Sequence, residues 1–135
     1  MSYIYRCRFR VRGYEVGPTG TVHDSAVLNY MQQAAFEASA QVGYDTRRYD
    51  AMHRIWVIRK QTVAYLATLT FGDTVEVETW VSDVRRVHCY REYTLRRASD
   101  ERLVALAQAD WIYFDTAKRF PCRIPQKVLD IFEPN

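Results

Sequence analysis

The segment HDSAVLNYMQQAAFEASAQVG, residues 23–43, is the one long helical pattern in a chain of strand patterns, so the architecture must be built around it. Its apolar residues recur at three- and four-residue steps, which predicts an amphipathic helix of about five turns. These residues are Val27, Tyr30, Met31, Ala34, Ala35, Ala38 and Val42. We expect Asp24 or Ser25 to cap the helix and Gly43 to end it in the left-handed conformation. The stripe is rich in alanine, so this helix can lie very close to a sheet.

Strand patterns lie on both sides of the helix. Residues 3–12 alternate, with apolar side chains on one face and four arginines on the other. We interpret the arginine face as solvated or as an oligomer contact. Four more strand patterns occupy residues 55–66, 73–84, 87–98 and 102–115, and their short connections predict an antiparallel meander. Residues 44–54 are predicted to be irregular, and Pro125 is predicted to start a short helix.

These elements predict one α+β domain over residues 1–135, an antiparallel sheet of about five strands wrapped around one long central helix. A chain of this length can bury a single hydrophobic core. An open sheet leaves two long strands without a partner on one side, and such edges are usually covered or paired. We therefore expect a homodimer or homotetramer, with dimerisation extending the sheet.

Composition and charge exclude several classes of protein. The net charge of +3 is no nucleic-acid signature, although it suits an anionic ligand. Cys7, Cys89 and Cys122 form no CxxC pair, which predicts reduced thiols in the cytoplasm instead of disulfides or a zinc site. His53 and His88 are isolated, so we expect neither a metal nor another cofactor. No apolar run has the length of a membrane span or the form of a signal peptide.

Three segments resemble known sequences, in order and spacing, over nearly the whole chain. They are RGYEVGPTGTVHDSAVLNYMQQ (12–33), IWVIRKQTVAYLATLTFGDTVEVETWV (55–81) and FDTAKRFPCRIP (114–125). They are similar to the first repeat of plant-type acyl-acyl-carrier-protein (acyl-ACP) thioesterases, and also to the bacterial 4-hydroxybenzoyl-CoA-thioesterase-like class. Both groups have the hot-dog fold. The resemblance implies an enzyme of fatty acid metabolism that hydrolyses acyl-ACP or acyl-CoA thioesters to free acid and thiol.

The chain departs from these families at the catalytic carboxylate. The bacterial class has an Asp three residues before the second loop glycine, which is Gly20 here, and that position is Gly17. Another hot-dog class uses a Glu on the central helix, and the matching position is Gln32, followed by Gln33. In plant-type enzymes the main catalytic residues belong to a second repeat, which has no counterpart in this chain. Thioester hydrolysis therefore needs an atypical water-activating group.

Residues at the start of the helix are the candidates for that chemistry. His23 can act as a general base, because an imidazole exchanges protons near neutral pH, and Asp24 can orient the water. The backbone N–H groups of Asp24 and Ser25 can bind the oxyanion of the tetrahedral intermediate. The amide side chains that can hold a water or the thioester carbonyl are Asn29, Gln32 and Gln33. Helix capping and ordinary surface roles stay open as alternatives for these residues.

Substrate binding is assigned to the loop and to basic residues near strand ends. Gly17 and Gly20 shape the loop that meets the thioester, together with Ser25. The basic residues expected to meet the phosphates of CoA or an acidic carrier are Arg85, Arg86, Lys118 and Arg119. The residues expected to face the helix and bound the acyl tunnel are Trp56, Trp80 and Trp111. A charged, soluble surface would also account for most of the basic residues.

Two functions from different classes stay open. The first is a thioesterase acting on acyl-ACP or acyl-CoA through an unusual base. The second is a non-catalytic hot-dog module that binds acyl thioesters or acts as an assembly partner. The missing carboxylates favour the second function, and the nearly intact loop and helix favour the first.

Overall fold

The structure, a computed structural model, describes residues 3–132. Its strands are β1 (Ile4–Arg10), β2 (Arg54–Tyr65), β3 (Thr74–Arg85), β4 (His88–Arg97), β5 (Leu103–Asp115) and the short β6 (Phe120–Pro121). Its helices are α1 (Asp24–Gln41), α2 (Thr46–Ala51) and α3 (Gln126–Phe132). The strands form one antiparallel sheet that curls around α1, which confirms the predicted α+β architecture.

The order of the strands differs from a simple meander. It runs β1-β3-β4-β5-β2, with β6 paired to β5. Strands β3, β4 and β5 form the predicted meander, but the prediction was wrong for β2, which pairs with β5 and not with β3. A short connection misled it, because the eight residues 66–73 can reach across three strand spacings of about 4.8 Å each. Strands β1 and β2 are therefore the edges of the five-strand path.

The core lies between α1 and the inner face of the sheet. The buried residues of α1 are Ala26, Val27, Tyr30, Met31, Ala34, Ala35 and Ala38. Tyr30 stacks on Phe9 of β1 with ring centroids 5.4 Å apart, and Phe36 meets Trp111 of β5 edge-on at 6.2 Å. Gly43 follows the helix with φ +94, as predicted for its left-handed end. The small alanine side chains let the helix lie directly against the strands.

The outer face of β1 carries most of the arginine stripe. Arg6 and Arg8 pair across to β3, and Arg12, just beyond β1, pairs with Glu15 at 3.4 Å. Arg6 Nε lies 2.6 Å from Glu78 Oε2, and Arg8 Nε lies 3.0 Å from Glu76 Oε2. The partners stand directly opposite each other in the β1–β3 register. Cross-strand ion pairs thus account for this part of the stripe, and it needs no oligomer contact to explain it.

Residues 44–54 were predicted to be irregular, and this prediction was wrong, because α2 forms there. Asp45 caps that helix, and its side chain accepts a 2.8 Å hydrogen bond from the Arg48 N–H. Tyr49 is the buried residue of the helix. A single buried residue produces no apolar period, so the sequence carried no helical pattern. Helix α3 begins directly after Pro125, as predicted.

Candidate active site

The loop between β1 and α1 is a small hairpin. A 3-10 turn over Gly13–Glu15 leads into a backbone bridge between Val16 and Val22. The Gly20 N–H donates a 2.9 Å hydrogen bond to the Gly17 carbonyl and closes the turn. Gly20 has φ +83, a conformation that glycine adopts without steric cost. The hairpin thereby fixes the backbone conformation of the residues that lead into α1.

His23 lies against Gly17 at the base of this hairpin. A Cβ atom built on Gly17 would lie 3.0 Å from Cε1 and 3.6 Å from Nδ1 of the His23 ring. Carbon atoms in contact prefer separations of about 3.5–4.0 Å, so a side chain fits at position 17 only if the ring moves. The missing carboxylate therefore has a steric explanation. The imidazole occupies the space in which a side chain of residue 17 would begin.

His23 is also the residue that precedes α1, and its backbone is extended. Its N–H donates a 2.9 Å hydrogen bond to the Glu15 carbonyl, which fixes it as the last residue of the hairpin. The prediction that Asp24 or Ser25 caps the helix was wrong for this reason, since both already belong to the first turn. The His23 side chain itself is exposed and makes no cap hydrogen bond.

The first turn of α1 leaves two backbone donors available. The Ala26 N–H donates to the His23 carbonyl over 3.0 Å, and this is where the helical pattern begins. The N–H groups of Asp24 and Ser25 have no backbone acceptor within residues 3–132. Such N–H groups, at the positive end of the helix dipole, are suited to bind a developing negative charge.

Glu15 is a buried carboxylate beneath the loop, with 7% of its surface exposed. It accepts a 2.8 Å hydrogen bond from the Arg12 N–H and a 2.6 Å hydrogen bond from the Tyr30 hydroxyl. Burial, and then this bond to Glu15, raise the pKa of Tyr30. Because Tyr30 belongs to the buried stripe of α1, the pair fastens the loop to the helix and holds His23 in place. Sequence reasoning missed Glu15, because no local pattern shows that a loop carboxylate is buried against Tyr30.

The predicted amide side chains lie on different sides of α1. Asn29 and Gln33 are exposed, and Gln33 Nε2 donates a 3.0 Å hydrogen bond to Glu37 on the same helix. Gln32 is half-buried and precedes Phe36 by four residues, so the two share one flank of the helix. Since Phe36 contacts β5, that flank faces the sheet near its β2 edge. The structure thus turns Gln32 towards the sheet and leaves Asn29 and Gln33 at the surface.

Two polar residues of β2 on this flank were missed. Gln61 faces inward opposite Ala109, and its Oε1 atom is buried with no hydrogen-bond partner in the described part of the chain. Burial raises the pKa of Tyr65, and the negative charge of Asp24 raises it further, so Tyr65 lies near the first turn of α1. The register shifts at Arg59, where a bulge reverses the inward and outward alternation. An alternation pattern read through that bulge cannot identify the inward residues beyond it.

The structure separates the predicted basic residues from the loop before α1. Arg85 and Arg86 lie at the β3–β4 turn, and Lys118 and Arg119 lie in the turn after β5. These turns are at the end of the sheet where β2 begins, whereas the loop lies at the end where β3 begins. Strand β3 has 12 residues, so about 36 Å separates the two ends at ~3.3 Å per residue. One chain alone does not bring these residues to the same ligand.

A cavity of about 180 Å³ lies under the C-terminal half of α1. Trp56 and Trp111, two of the residues expected to bound the acyl tunnel, line it together with Ala35, whereas Trp80 does not. The prediction for Trp80 was wrong because its buried neighbours on β3 face inward, which turns Trp80 to the outer face. Arg91 also lines the cavity and was not predicted. Ala35 lies about 16 Å along the helix from its first residue, at 1.5 Å per residue.

Residues 3–132 contain no candidate metal site and no candidate transmembrane helix. No group of His, Cys, Asp and Glu side chains in that range could hold a metal ion. None of the helices there combines the length and apolar character needed to cross a bilayer. The three cysteines are free thiols.

Comparison with known proteins gives a consistent result. The family model described as acyl-ACP thioesterase N-terminal domain matches residues 2–132. A chloroplastic palmitoyl-acyl carrier protein thioesterase from Cuphea hookeriana is 28% identical over 138 residues, which cover 98% of this chain and 33% of the relative. A chloroplastic dodecanoyl-[acyl-carrier-protein] hydrolase from Umbellularia californica is 29% identical over 131 residues, which cover 93% and 34%. The chain spans about a third of the length of these relatives.

Solved structures confirm the predicted hot-dog fold. The 12:0-ACP thioesterase from Umbellularia californica superimposes with a TM-score of 0.83 at 28% identity, over 98% of this chain and 51% of that one. A 1,4-dihydroxy-2-naphthoyl-CoA thioesterase from Synechocystis reaches a TM-score of 0.85 at 14% identity, over 98% of this chain and 100% of that one. At such low identity the second likeness concerns the fold alone.

Proposed function

Because the chain belongs to the acyl-ACP thioesterase N-terminal domain family, we propose that it hydrolyses acyl thioesters to free acid and thiol. The observation that carries the proposal is the contact between His23 and Gly17. An imidazole stands at the place where relatives in the bacterial class are expected to hold a carboxylate. It does so beside the N–H groups of Asp24 and Ser25, which have no backbone acceptor within residues 3–132.

In the proposed mechanism, His23 removes a proton from a water whose oxygen attacks the carbonyl carbon of the thioester. The N–H groups of Asp24 and Ser25 donate hydrogen bonds to the resulting oxyanion, and the helix dipole stabilises its charge. The intermediate then collapses as the C–S bond breaks. The departing thiolate takes the proton from the His23 imidazolium, so the free imidazole is restored.

Recognition of the substrate is proposed to involve a second copy of the chain. The edge strand β2 carries exposed apolar side chains, with Val57 at 41% and Leu66, just beyond it, at 50% exposure. Two-fold pairing of β2 with its copy would be antiparallel, so the start of one strand would lie beside the end of the other. The partner's Lys118 and the partner's Arg119 would then approach the loop before α1. Basic groups there would bind the phosphates of CoA or an acidic acyl carrier protein.

The test is the release of free thiol from a panel of acyl-CoA and acyl-ACP thioesters. We expect His23→Gln to lower the rate at least tenfold, about 1.4 kcal/mol in the activation free energy. His53→Gln is the matched control, because His53 is an exposed histidine in the turn before β2 and should leave the rate unchanged. A His23→Gln variant as fast as the wild-type protein would contradict the assignment of His23 as the base.

A non-catalytic module is the second candidate, and the absence of a carboxylate at Gly17 and Gln32 favours it. Such a protein would bind acyl thioesters without releasing thiol. Equilibrium binding of a non-hydrolysable acyl-CoA thioether, measured beside the thiol-release assay, separates the two functions. Binding together with background release would replace the hydrolase by the binding module.

A further inference from the structure

Arg91 is a buried cation in the wall of the cavity beneath α1. Only 6% of its surface is exposed, and it lies on the inner face of β4. The guanidinium donates a 3.1 Å hydrogen bond to the Thr79 hydroxyl, and its central carbon lies 6.0 Å from the centre of the Phe132 ring. Within the described part of the chain, no carboxylate forms an ion pair with it.

This arrangement leaves the charge of Arg91 poorly compensated. A guanidinium keeps its proton in a protein, so burial cannot neutralise it. A buried charge is strongly unfavourable unless an opposite charge and hydrogen bonds accompany it. Arg97 on the same strand shows the usual solution, because its less buried side chain pairs with Asp73 at 3.7 Å and with Asp100 at 2.8 Å. Arg91 has one neutral hydroxyl and an aromatic ring in their place.

Two acidic residues on the neighbouring helices are engaged or exposed. Glu37 on α1 accepts hydrogen bonds from the Tyr5 hydroxyl at 2.9 Å and from Gln33 at 3.0 Å. Asp50 on α2 is the carboxylate among the residues that line the cavity, and its side chain is exposed at the rim. Neither residue supplies a buried counter-charge to Arg91. Because no carboxylate within residues 3–132 is placed to compensate Arg91, we take a ligand as the source of the counter-charge.

Aromatic side chains form much of the rest of the cavity wall. Tyr49, Trp56 and Trp111 line it together with Phe132. Its volume of about 180 Å³ is close to that of an apolar cavity of roughly 150 Å³ that admits benzene. An aromatic ring or a short alkyl chain thus fits the apolar part, and an anionic group fits the arginine.

We propose that this cavity binds a small carboxylic acid with an aromatic or alkyl body, and that its carboxylate forms a bidentate ion pair with Arg91. The acid is a free acid or the terminal carboxylate of an acyl group whose thioester lies outside the cavity. The free acid requires no thioester hydrolysis, whereas the terminal carboxylate rests on the proposed function. Both share the same chemistry at Arg91.

The test compares benzoate with benzyl alcohol, its neutral analogue, by tryptophan fluorescence. A Trp80→Phe background leaves Trp56 and Trp111, both of which line the cavity. We expect benzoate to quench the fluorescence saturably, with an affinity at least tenfold above that of benzyl alcohol. Arg91→Met should abolish this preference and leave the affinity for benzyl alcohol within about twofold. If the protein that retains Arg91 binds benzoate and benzyl alcohol with equal affinity, the proposal is overturned.

The unfolding temperature provides a second test, because an arginine with a purely structural role would respond differently to substitution and to benzoate. Replacing an unpaired buried charge by a similarly sized apolar side chain stabilises a protein, so Arg91→Met should raise the unfolding temperature in the absence of ligand. Benzoate should raise the unfolding temperature of the wild-type protein and leave that of Arg91→Met unchanged. A less stable Arg91→Met variant, with no effect of benzoate on the wild type, would show that the protein itself compensates Arg91. If Arg91→Met does not fold, the comparison of benzoate with benzyl alcohol on the wild type decides alone.

The source of the acid is distinguished with two thioesters of equal length, hexanedioyl-CoA and hexanoyl-CoA. If the acid is the end of an acyl group, hexanedioyl-CoA should have the lower KM, and Arg91→Met should remove the difference. If the acid is free, benzoate should bind while the KM values of the two thioesters agree. The absence of both preferences would refute the proposal. A failure to hydrolyse either thioester would concern only the proposed function, because the benzoate titration needs no turnover.

Discussion

Substitution of Gly17 by alanine tests the central feature of the loop, the contact between residue 17 and the His23 ring. The new methyl carbon would start 3.0 Å from Cε1 of His23. An unstrained carbon–carbon contact needs about 3.5 Å or more, so the ring must move by at least ~0.5 Å. A displacement of about 1 Å in a catalytic group can lower a rate by about 100-fold. We therefore expect Gly17→Ala to reduce thioester hydrolysis by about ten- to hundredfold, or ~1.4–2.7 kcal/mol.

The free energy of unfolding should behave differently from the rate. Gly17 has no left-handed backbone, and alanine restricts the unfolded chain, which contributes about 0.4–1 kcal/mol of stability. His23 is exposed, so its ring can move without disturbing the core. Little cost therefore opposes this gain, and stability should stay within about 1 kcal/mol of the wild-type value. Gly17→Ala is thus expected to lower activity without unfolding the protein.

Gly20→Ala is the matched control, because it should reverse this pattern. No atom lies within 4 Å of a Cβ built on Gly20, but its φ of +83 is unfavourable for alanine by about 1–2 kcal/mol. Urea unfolding followed by circular dichroism should show the loss of stability in Gly20→Ala, and thiol release should show the loss of rate in Gly17→Ala. Equal loss of rate in the two variants, or a wild-type rate in Gly17→Ala, would refute the steric argument.

Three further outcomes are expected. Tyr30→Phe removes the 2.6 Å hydrogen bond to the buried Glu15 carboxylate and should lower the free energy of unfolding by about 1.5–3 kcal/mol in urea titrations. Met31→Ala empties a fully buried position of α1 and should cost about 2–5 kcal/mol, which a thermal melt will reveal. Val57→Glu places a charge on the edge of β2 through which we propose dimerisation, so sedimentation should give the variant a lower mass than the wild-type protein at equal concentration. An unchanged sedimentation coefficient would argue against dimerisation through β2.

The elements of the fold were largely predictable because their signals are local. Alternation identified the five long strands, and the alanine-rich stripe identified α1 and the face it buries. The position of β2 was not predictable, because pairing with β5 depends on contacts between residues far apart in sequence. Helix α2 was not predicted, for a different reason. Its stability comes from the Asp45 cap and from burial of Tyr49, and neither creates a period.

The site was predictable only in part. The turn glycines and the helix start located the loop, and the resemblance supplied the chemistry to look for. Glu15 was not identifiable, since its burial depends on the Tyr30 hydroxyl fifteen residues away. Arg91 did carry a signal, because it alternates with Cys89 and Tyr93 on the apolar side of β4. The pattern alone could not show that no carboxylate accompanies it.

The loop assigns its ionisable groups to separate tasks, and this division can be reversed by design. The Glu15 carboxylate accepts hydrogen bonds from Tyr30 and Arg12, so it is engaged in fixing the loop. His23 is left to act as the base, and its ring excludes a side chain at Gly17.

His23→Ala should therefore be nearly inactive, and Gly17→Asp alone should be impaired because the ring and the carboxylate compete for the same space. In the double variant the space is vacated, and the carboxylate can take over as the base. We expect thiol release at least tenfold above that of His23→Ala alone, about 1.4 kcal/mol, and with an acid limb shifted to the pH range of a carboxylate. A double variant no faster than His23→Ala would show that the two side chains do not serve the same position.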